Sequence, residues 1–293
     1  MGAALVAGVA AWPHARDAAL ALALIRHLAR PLAPGPLTRW TAEPSREDLT
    51  IRLPGKGLAA RLFHPRRAPR GAGVVLVHGV NETGKEDARI VWVADLLARA
   101  GFVVLTPDFT GFKSLTLRAS DIDEIVASAA FLGGRMPGDR PDAVGVVAFS
   151  YGAGPAVVAA ADPAARDRLR FVVSFGGYYD LANVITFVTT GRYEYRGEQG
   201  QLAPNPYNRW IFLKYNLDLL NDPLDRAILG EITRHKAERP QVEAGPLAAN
   251  LTPEGRAIFD LIGNRDPARV PALLRRLPRT WRPRSPGSRP PGP

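Results

Sequence analysis

The chain has 293 residues, no cysteine and a formal net charge of +10 at pH 7. Its hydrophobic content of 46% is enough for one large α/β domain, or for one domain with an inserted cap, and excludes a disordered protein. Without cysteine, disulfides, thiolate nucleophiles and cysteine-based metal sites are excluded. We therefore expect a cytoplasmic protein that uses no metal and no other cofactor.

The positive charge is concentrated near the end of the chain. Residues 265–293 contain eight arginines and one acidic residue, Asp266, so this segment carries +7 and the rest of the chain carries only +3. A basic groove across the folded domain is therefore poorly supported, and no regular aromatic interleaving is present for base stacking. We expect no nucleic-acid partner. The alternative, DNA binding through the tail alone, would be salt dependent.

Two short apolar runs open the chain, in residues 1–12 and 18–25. Neither approaches the roughly 20 residues needed to span a bilayer. The early positive segment of a signal peptide is also absent. The pattern favours a surface helix within an N-terminal segment, residues 1–46, that lies either on a membrane as a peripheral contact or on the cap predicted below.

Residues 47–180 show the pattern of an α/β core. Two short runs around Pro54-Gly55 predict an antiparallel hairpin at the start of a sheet. Four continuous apolar runs then indicate strands buried on both faces of a parallel sheet: residues 74–77, 102–105, 144–149 and 171–175. Helical patterns lie between the runs. Strands that alternate with helices at this spacing predict a doubly wound, mostly parallel sheet.

Residues 181–278 contain no further strand-like apolar run and predict an α-helical cap over a pocket. Ordinary helices packed on the sheet are the alternative, because aromatic stripes often belong to a core. The residues expected to contribute to an apolar pocket are Tyr178, Phe187, Trp210, Phe212 and Tyr215. Such a pocket favours acyl or aromatic ester substrates over sugars or phosphates.

Residues 279–293 are rich in Arg, Pro, Gly and Ser and have no periodicity. This composition predicts a disordered tail. Its abrupt onset is also typical of out-of-frame translation of a GC-rich gene.

The strongest motif is the segment 144–154, VGVVAFSYGAG, in which a buried strand is followed by a serine and the start of a helix. At a nucleophile elbow the serine occupies a strained strand-to-helix turn, so the residues two before and two after it must be small. Ala148 and Gly152 meet this requirement, with Ala148 in place of the commoner glycine. The motif makes Ser150 the candidate nucleophile. A serine in a structural turn is the alternative.

A second motif is the segment 76–80, LVHGV, in which the first long buried strand ends in His-Gly. With this loop and the elbow, residues 49–180 resemble the α/β-hydrolase superfamily, near its esterase and dienelactone-hydrolase-like branches. The resemblance implies an oxyanion hole built from the backbone amides of Val80 and Tyr151, with Gly79 supporting the loop.

The resemblance also bears on two polar residues near these loops. His78 precedes Ser150, whereas the superfamily order is serine, acid, histidine, so His78 is not the catalytic base. We expect it either to brace the loop or simply to be packed. Asp108, in the Pro-Asp turn after the next strand, is expected to be structural or to line the pocket.

The superfamily carries its acid and histidine after later strands that are not visible in this sequence. His235, the only histidine after Ser150, lies on a charged helix and fits a solvated surface position. Asp180 is the best-placed acid but also fits a helix cap; the other acid candidates are Asp218, Asp222 and Asp225. We therefore expect a truncated or frame-shifted version of the fold, with the sixth strand as an exposed edge, poor solubility and little activity.

Two functions remain open from the sequence. The first is a serine hydrolase of small-molecule carboxylic esters that forms an acyl-enzyme on Ser150. The alternative is a catalytically incomplete α/β-hydrolase-like protein, or a binding protein that uses the capped pocket. Neither the substrate nor the oligomeric state follows from the sequence.

Overall fold

The computed structural model describes residues 15, 17–30, 32–66, 71–116, 118, 120–136, 143–177, 180–204, 206–239 and 243–277. The apolar run of residues 1–12 and the predicted disordered tail, residues 279–293, lie outside the described residues. The chain divides after Gly177 into two compact units. The assignment of residues 47–180 as a catalytic core and residues 181–278 as its cap stays a prediction.

The first unit is built on a six-stranded sheet. Its strands are β1 (Ser45–Leu53), β2 (Lys56–His64), β3 (Gly73–Val77), β4 (Val103–Pro107), β5 (Val144–Phe149) and β6 (Leu169–Phe175). Their order in the sheet is β1-β2-β4-β3-β5-β6. The pairs β1–β2 and β2–β4 are antiparallel, whereas β4, β3, β5 and β6 run parallel. The predicted doubly wound, mostly parallel sheet is therefore confirmed.

Helices cover both faces of this sheet. They are α1 (residues 17–28), α2 (Pro36–Trp40), α3 (Ala88–Arg99), α4 (Thr110–Lys113), α5 (Ser120–Gly133) and α6 (Ala153–Ala161). Successive side chains of a strand point to opposite faces, so Val75 and Val77 of β3 enter the cluster that contains residues of α5 and α6. Val74 and Leu76 enter the cluster that contains residues of α3. Burial on both sides explains the continuous apolar runs of β3, β4 and β5.

Strand β6 forms the edge of the described sheet, as predicted. It pairs with β5 along one side, and Phe171 and Phe175 remain 38% and 50% exposed. The Phe171 ring covers Gly145 of β5, where a side chain would collide with it, and Phe175 stacks on Phe149 at 5.3 Å. The strand is thus only partly covered, and the expectation that residues 171–175 are buried on both faces is wrong because no described strand pairs with the outer side of β6. The predicted poor solubility stays a prediction.

The N-terminal helix α1 presents a mixed surface. Ala23 and His27 are buried and pack against α2 and α3, whereas Leu22 and Ile25 are largely exposed. In the part of the chain that the structure describes, no helix combines the length and apolarity needed to cross a bilayer. The peripheral membrane contact stays a prediction.

The second unit is mainly helical and has its own apolar core. Its helices are α7 (Leu181–Thr190), α8 (Pro206–Lys214), α9 (Pro223–Glu238), α10 (Gly245–Ala248), α11 (Pro253–Gly263) and α12 (Val270–Arg276). Pro223 and Pro253 begin α9 and α11, where a missing N–H costs nothing, and the Thr252 side chain caps α11. The mainly helical character agrees with expectation, with one exception.

That exception is a hairpin formed by β7 (Arg192–Tyr195) and β8 (Glu198–Gln201). The expectation that this region holds no strand is wrong, because both strands are polar and mostly exposed and so show no apolar run. Their turn residues Arg196 and Gly197 both have positive φ, 53° and 82°. This geometry matches the right-handed twist of paired strands, so the turn rather than burial defines the hairpin.

Candidate active site

Ser150 lies at an abrupt change from strand to helix. Strand β5 ends at Phe149, residues Ser150–Gly152 form a 3₁₀ turn, and α6 begins at Ala153. The φ angle of Ser150 is +51°, in the left-handed region that non-glycine residues seldom adopt. Its side chain is exposed although the strand before it is almost fully buried. The buried strand therefore carries a strained, accessible hydroxyl at its carboxyl end.

The small residues around Ser150 are required by close contacts. A Cβ added to Gly152 would overlap the His78 carbonyl oxygen and lie 2.9 Å from Val77 Cγ1. A Cβ on Gly79 would lie 3.1 Å from the Ser150 Cβ and 3.6 Å from its Oγ. Ala148 is fully buried. The elbow and the His-Gly loop thus pack directly against each other, which only small residues permit.

His78 stabilises the loop from inside the first unit. Its ring is fully buried between Phe109 and Phe112, with ring centroids 5.5 Å and 5.8 Å away. Nδ1 lies 2.6 Å from the Gly79 carbonyl oxygen and donates a hydrogen bond to it. Burial lowers the pKa of His78, against the smaller opposing effect of that hydrogen bond. A neutral, packed His78 that braces the loop agrees with both sequence interpretations.

Two further side chains fix the loop after β3. Asn81 donates from Nδ2 to the Gly79 carbonyl oxygen at 3.1 Å and accepts from the Gly84 amide at 2.6 Å. The Asp108 carboxylate accepts from the Lys85 amide at 2.7 Å and pairs with Lys113 at 3.0 Å. Asp108 is therefore structural, one of its two expected roles. Asn81 was missed, although an Asn shortly before Gly84 is typical of an Asx turn.

The expected oxyanion donors lie beside the nucleophile in the chain and in space. Tyr151 follows Ser150 directly in the 3₁₀ turn, and Val80 follows Gly79, the residue packed against Ser150. Both side chains are partly buried. This arrangement can direct two backbone amides at an oxyanion. The catalytic roles of Ser150, Val80 and Tyr151 stay predictions.

The acid candidates after Ser150 are tied to helix starts. Three accept hydrogen bonds from backbone amides there: Asp180 at α7, Asp222 at α9 and Asp225 at α11. Asp225 is fully buried, whereas Asp218 is exposed in a short 3₁₀ turn. The capping alternative for Asp180 therefore agrees with the structure.

Each histidine in the described part of the chain has a recorded partner other than Ser150. Each described ring makes a hydrogen bond or ion pair near its own position: His27 with the Ala33 carbonyl at 2.8 Å, His64 with Glu47 at 3.5 Å, His78 with Gly79, and His235 with Glu231 at 3.0 Å. His14 lies outside the described residues. The Glu231 pair on the surface of α9 fits the expected solvated position of His235.

The predicted pocket aromatics belong to the second unit. Trp210 is buried, and Phe187, Phe212 and Tyr215 are partly buried. Tyr178 lies outside the described residues. The helical cap over an apolar pocket at Ser150 stays a prediction.

The elbow, the His-Gly loop and the mostly parallel sheet together define a class of protein. A family model described as the alpha/beta hydrolase family matches residues 74–291. The chain belongs to the α/β-hydrolase family.

Similarity to individual proteins covers only part of the chain. Two Mycobacterium tuberculosis proteins, from strains CDC 1551 and H37Rv, are provisionally named phosphoribosyl transferases, and each is 38% identical over 130 residues. That match covers 43% of this chain and 28% of each relative, so the chain spans about a quarter of their length.

Two solved structures are also similar. A dienelactone hydrolase from Anabaena variabilis is 26% identical and has a TM-score of 0.33, covering 45% of this chain and 63% of that one. A lidless α/β serine hydrolase from Xanthomonas campestris is 19% identical and has a TM-score of 0.36, covering 44% and 60%.

Proposed function

We propose that this protein is a serine hydrolase that cleaves carboxylic esters through an acyl-enzyme on Ser150. Ser150 Oγ attacks the ester carbonyl, and the Val80 and Tyr151 amides stabilise the oxyanion that forms. A base passes the Ser150 proton to the departing alkoxide, which leaves as the alcohol. Water then attacks the acyl-serine, which releases the carboxylic acid and restores the Ser150 hydroxyl. Membership of the α/β-hydrolase family supports a hydrolytic role, and the ester substrate is our extension of it.

One observation carries this proposal: Ser150 is exposed at φ +51° where β5 meets the turn before α6. Backbone strain of this kind costs of order 1–3 kcal/mol and persists only where the surroundings enforce it. Here Gly79 and Gly152 allow the contacts that enforce it. A purely structural turn would have no need for a strained serine that faces solvent.

A second candidate function is favoured by the histidines. Among the described residues no hydrogen bond joins a histidine ring to Ser150, and the recorded ring partners lie elsewhere, so the base that would take the Ser150 proton is unassigned. The second candidate is therefore an α/β-hydrolase-like binding protein that turns over esters slowly or not at all.

A fluorophosphonate probe and a p-nitrophenyl ester distinguish these functions. We expect the probe to label the wild-type chain and the Ser114→Ala control, an exposed serine of the same unit, but not Ser150→Ala. Rapid, Ser150-dependent ester hydrolysis would establish the first candidate, and His235→Ala would then test the base. Labelling without appreciable turnover would favour the second. Absence of labelling at Ser150 would reject the hydrolase.

A further inference from the structure

The second unit contains a cavity of about 380 Å³ between α8, α9, α11 and the turn before α12. This volume is within the range of small-molecule sites. Its principal lining residues are Arg209, Trp210, Lys236, Phe259, Arg265 and Arg269. Gly263 also lines it, and a Cβ there would meet no atom within 4 Å, as expected beside open space.

Arg209 is the unusual member of this set because its side chain is completely buried. Nη1 donates to the Ile262 and Asn264 carbonyl oxygens, at 3.4 Å and 3.3 Å, at the carboxyl end of α11. Those two long hydrogen bonds explain how the guanidinium is oriented. They account for only one of its three nitrogens.

The other edge of the guanidinium is unsatisfied. Within the described residues, Nε and Nη2 of Arg209 are buried and have no hydrogen-bond partner, and no carboxylate forms an ion pair with Arg209. An unpaired buried charge is costly, so a native protein seldom retains one without a use. Nε–H and one Nη2–H point in parallel, which matches two oxygens of a carboxylate or phosphate.

The charges around the cavity are predominantly positive. Lys236, Arg265 and Arg269 line it together with Arg209. Among the described lining residues the one carboxylate is that of Asp260, which pairs with Arg276 at 3.2 Å, and the Glu243 carboxylate outside the lining also acts on Lys236. Burial and the nearby Arg265 charge lower the pKa of Arg209 to about 10, and burial followed by Arg265 also lowers that of Lys236. These cations repel one another, so an entering anion would relieve both desolvation and repulsion.

Two aromatic rings supply an apolar wall beside the charges. Trp210 and Phe259 both line the cavity, with ring centroids 6.4 Å apart. Lys236 Nζ lies 5.7 Å from the Trp210 centroid. An inorganic ion would leave these rings unused, whereas a ring attached to an oxyanion would contact both walls.

We propose that this cavity binds a small organic oxyanion, a phosphomonoester or a carboxylate carried on a ring. Arg209 Nε and Nη2 bind two of its oxygens, Lys236, Arg265 and Arg269 balance its charge, and Trp210 and Phe259 pack against its ring. The site lies within the second unit and does not depend on the hydrolase activity proposed for Ser150. Capping of α11 by Arg209 is the structural alternative, and it explains Nη1 alone.

Calorimetric titration of the full chain in phosphate-free buffer tests the proposal. The probes are phenyl phosphate, benzoate, inorganic phosphate and the neutral benzyl alcohol. We expect phenyl phosphate and benzoate to bind at one site, inorganic phosphate to bind more weakly, and benzyl alcohol not to bind. If neither ring-bearing anion binds, or if benzyl alcohol binds equally well, the proposal is wrong.

Substitutions then locate the site. Arg209→Met should weaken binding of the ring-bearing anions about 10- to 100-fold, the usual effect of losing hydrogen bonds to a charged group. Arg234→Met is the matched control, because it removes the same charge from an exposed position on α9. Equal affinities for wild type and Arg209→Met, or equal losses in both variants, would overturn the proposal.

Two more variants keep the test decisive. If Arg209→Met does not fold, Arg209→Lys replaces it, because lysine keeps the charge but lacks the paired N–H groups. We expect Arg209→Lys to bind the ring-bearing anions several-fold more weakly. An unchanged affinity would exclude the bidentate contact. Ser150→Ala should bind the anions as the wild type does. That result separates this site from the proposed ester hydrolysis, and a loss of binding in Ser150→Ala would contradict the assignment to the second unit.

Discussion

The elbow of the first unit and the cavity of the second unit present their functional groups in opposite ways. Ser150 is exposed at the end of a buried strand, and its position is set by backbone geometry and by two glycines. Arg209 is buried within a helical core, and its position is set by side-chain packing and two long hydrogen bonds. One site is strained in its main chain. The other carries a desolvated charge.

This difference shows two sources of the free-energy cost of a functional group, backbone strain and the burial of a charge. Backbone strain at Ser150 is local, and the neighbouring segments that enforce it are close in sequence or in the sheet. The buried charge of Arg209 depends on packing against residues distant in the chain, including those at the end of α11, and binding of the proposed anion would lower its cost. Substitutions at the two sites should therefore change stability in opposite directions.

The largest effect is expected for Gly152→Ala. The new Cβ would overlap the His78 carbonyl oxygen, a backbone atom that cannot rotate away, so the elbow must shift. We expect a loss of about 1–3 kcal/mol in the free energy of unfolding. Fluorophosphonate labelling of Ser150 should slow by about 100-fold, because small displacements of a nucleophile are that costly.

The control for this prediction is Gly134→Ala at the end of α5. A Cβ there would lie 3.7 Å from its nearest neighbour, an ordinary contact, so both stability and labelling should stay close to wild type. Unfolding in urea and labelling time courses measure the two effects. Wild-type labelling of Gly152→Ala would contradict the tight packing between the elbow and the His-Gly loop.

The intermediate effect is expected for Arg209→Met, with the opposite sign. In the folded chain the pKa of Arg209 falls from its usual value to about 10, so its charge lowers stability at every pH below that value. Replacement by an apolar side chain should raise the free energy of unfolding by about 1–3 kcal/mol in anion-free buffer. Phenyl phosphate should then stabilise the wild type but not the variant.

Thermal melting with and without phenyl phosphate measures both parts of this prediction. Arg234→Met, exposed on α9, should shift the melting temperature little. If Arg209→Met is less stable than the wild type without ligand, the main role of Arg209 is to donate hydrogen bonds to the carboxyl end of α11. That result would contradict the prediction that substitutions at the two sites change stability in opposite directions.

The smallest effect is expected for His78 and depends on pH. Burial lowers its pKa in the folded chain, so below its usual value near 6.5 the unfolded chain binds a proton that the folded chain does not. Stability should therefore fall as pH drops below 6.5, by at most about 1.4 kcal/mol per pH unit. His78→Gln should remove this part of the pH dependence.

Urea unfolding between pH 5 and pH 7.5 measures that slope. His64→Gln provides the comparison, because His64 lies partly exposed on β2. It should leave the His78-dependent slope in place. A wild-type slope in His78→Gln would show that the buried ring does not control acid sensitivity.

The sequence predicted the first unit better than the second. Short runs around Pro54-Gly55 identified β1 and β2, and continuous apolar runs identified the other four strands. Of those four, β3, β4 and β5 are buried on both faces, which requires continuous apolar residues. The elbow was visible because its small residues, Ala148 and Gly152, lie at fixed positions relative to Ser150 along the chain. In the second unit the hairpin around Arg196 and Gly197 was missed, because it is polar and exposed.

By itself the sequence determined the doubly wound sheet and the serine turn between β5 and α6, because each is marked by a pattern of residues close together in the chain. The contacts of Gly79 with Ser150 and of Gly152 with His78 join distant residues, so the tertiary structure decided them. The tertiary structure alone decided that Arg209 is buried with one free edge, and that Lys236, Phe259 and Arg265 from other segments surround the same cavity. Burial and cavity shape are properties of packing between distant residues. An arginine followed by a tryptophan on an amphipathic helix carries no sign of either in the sequence.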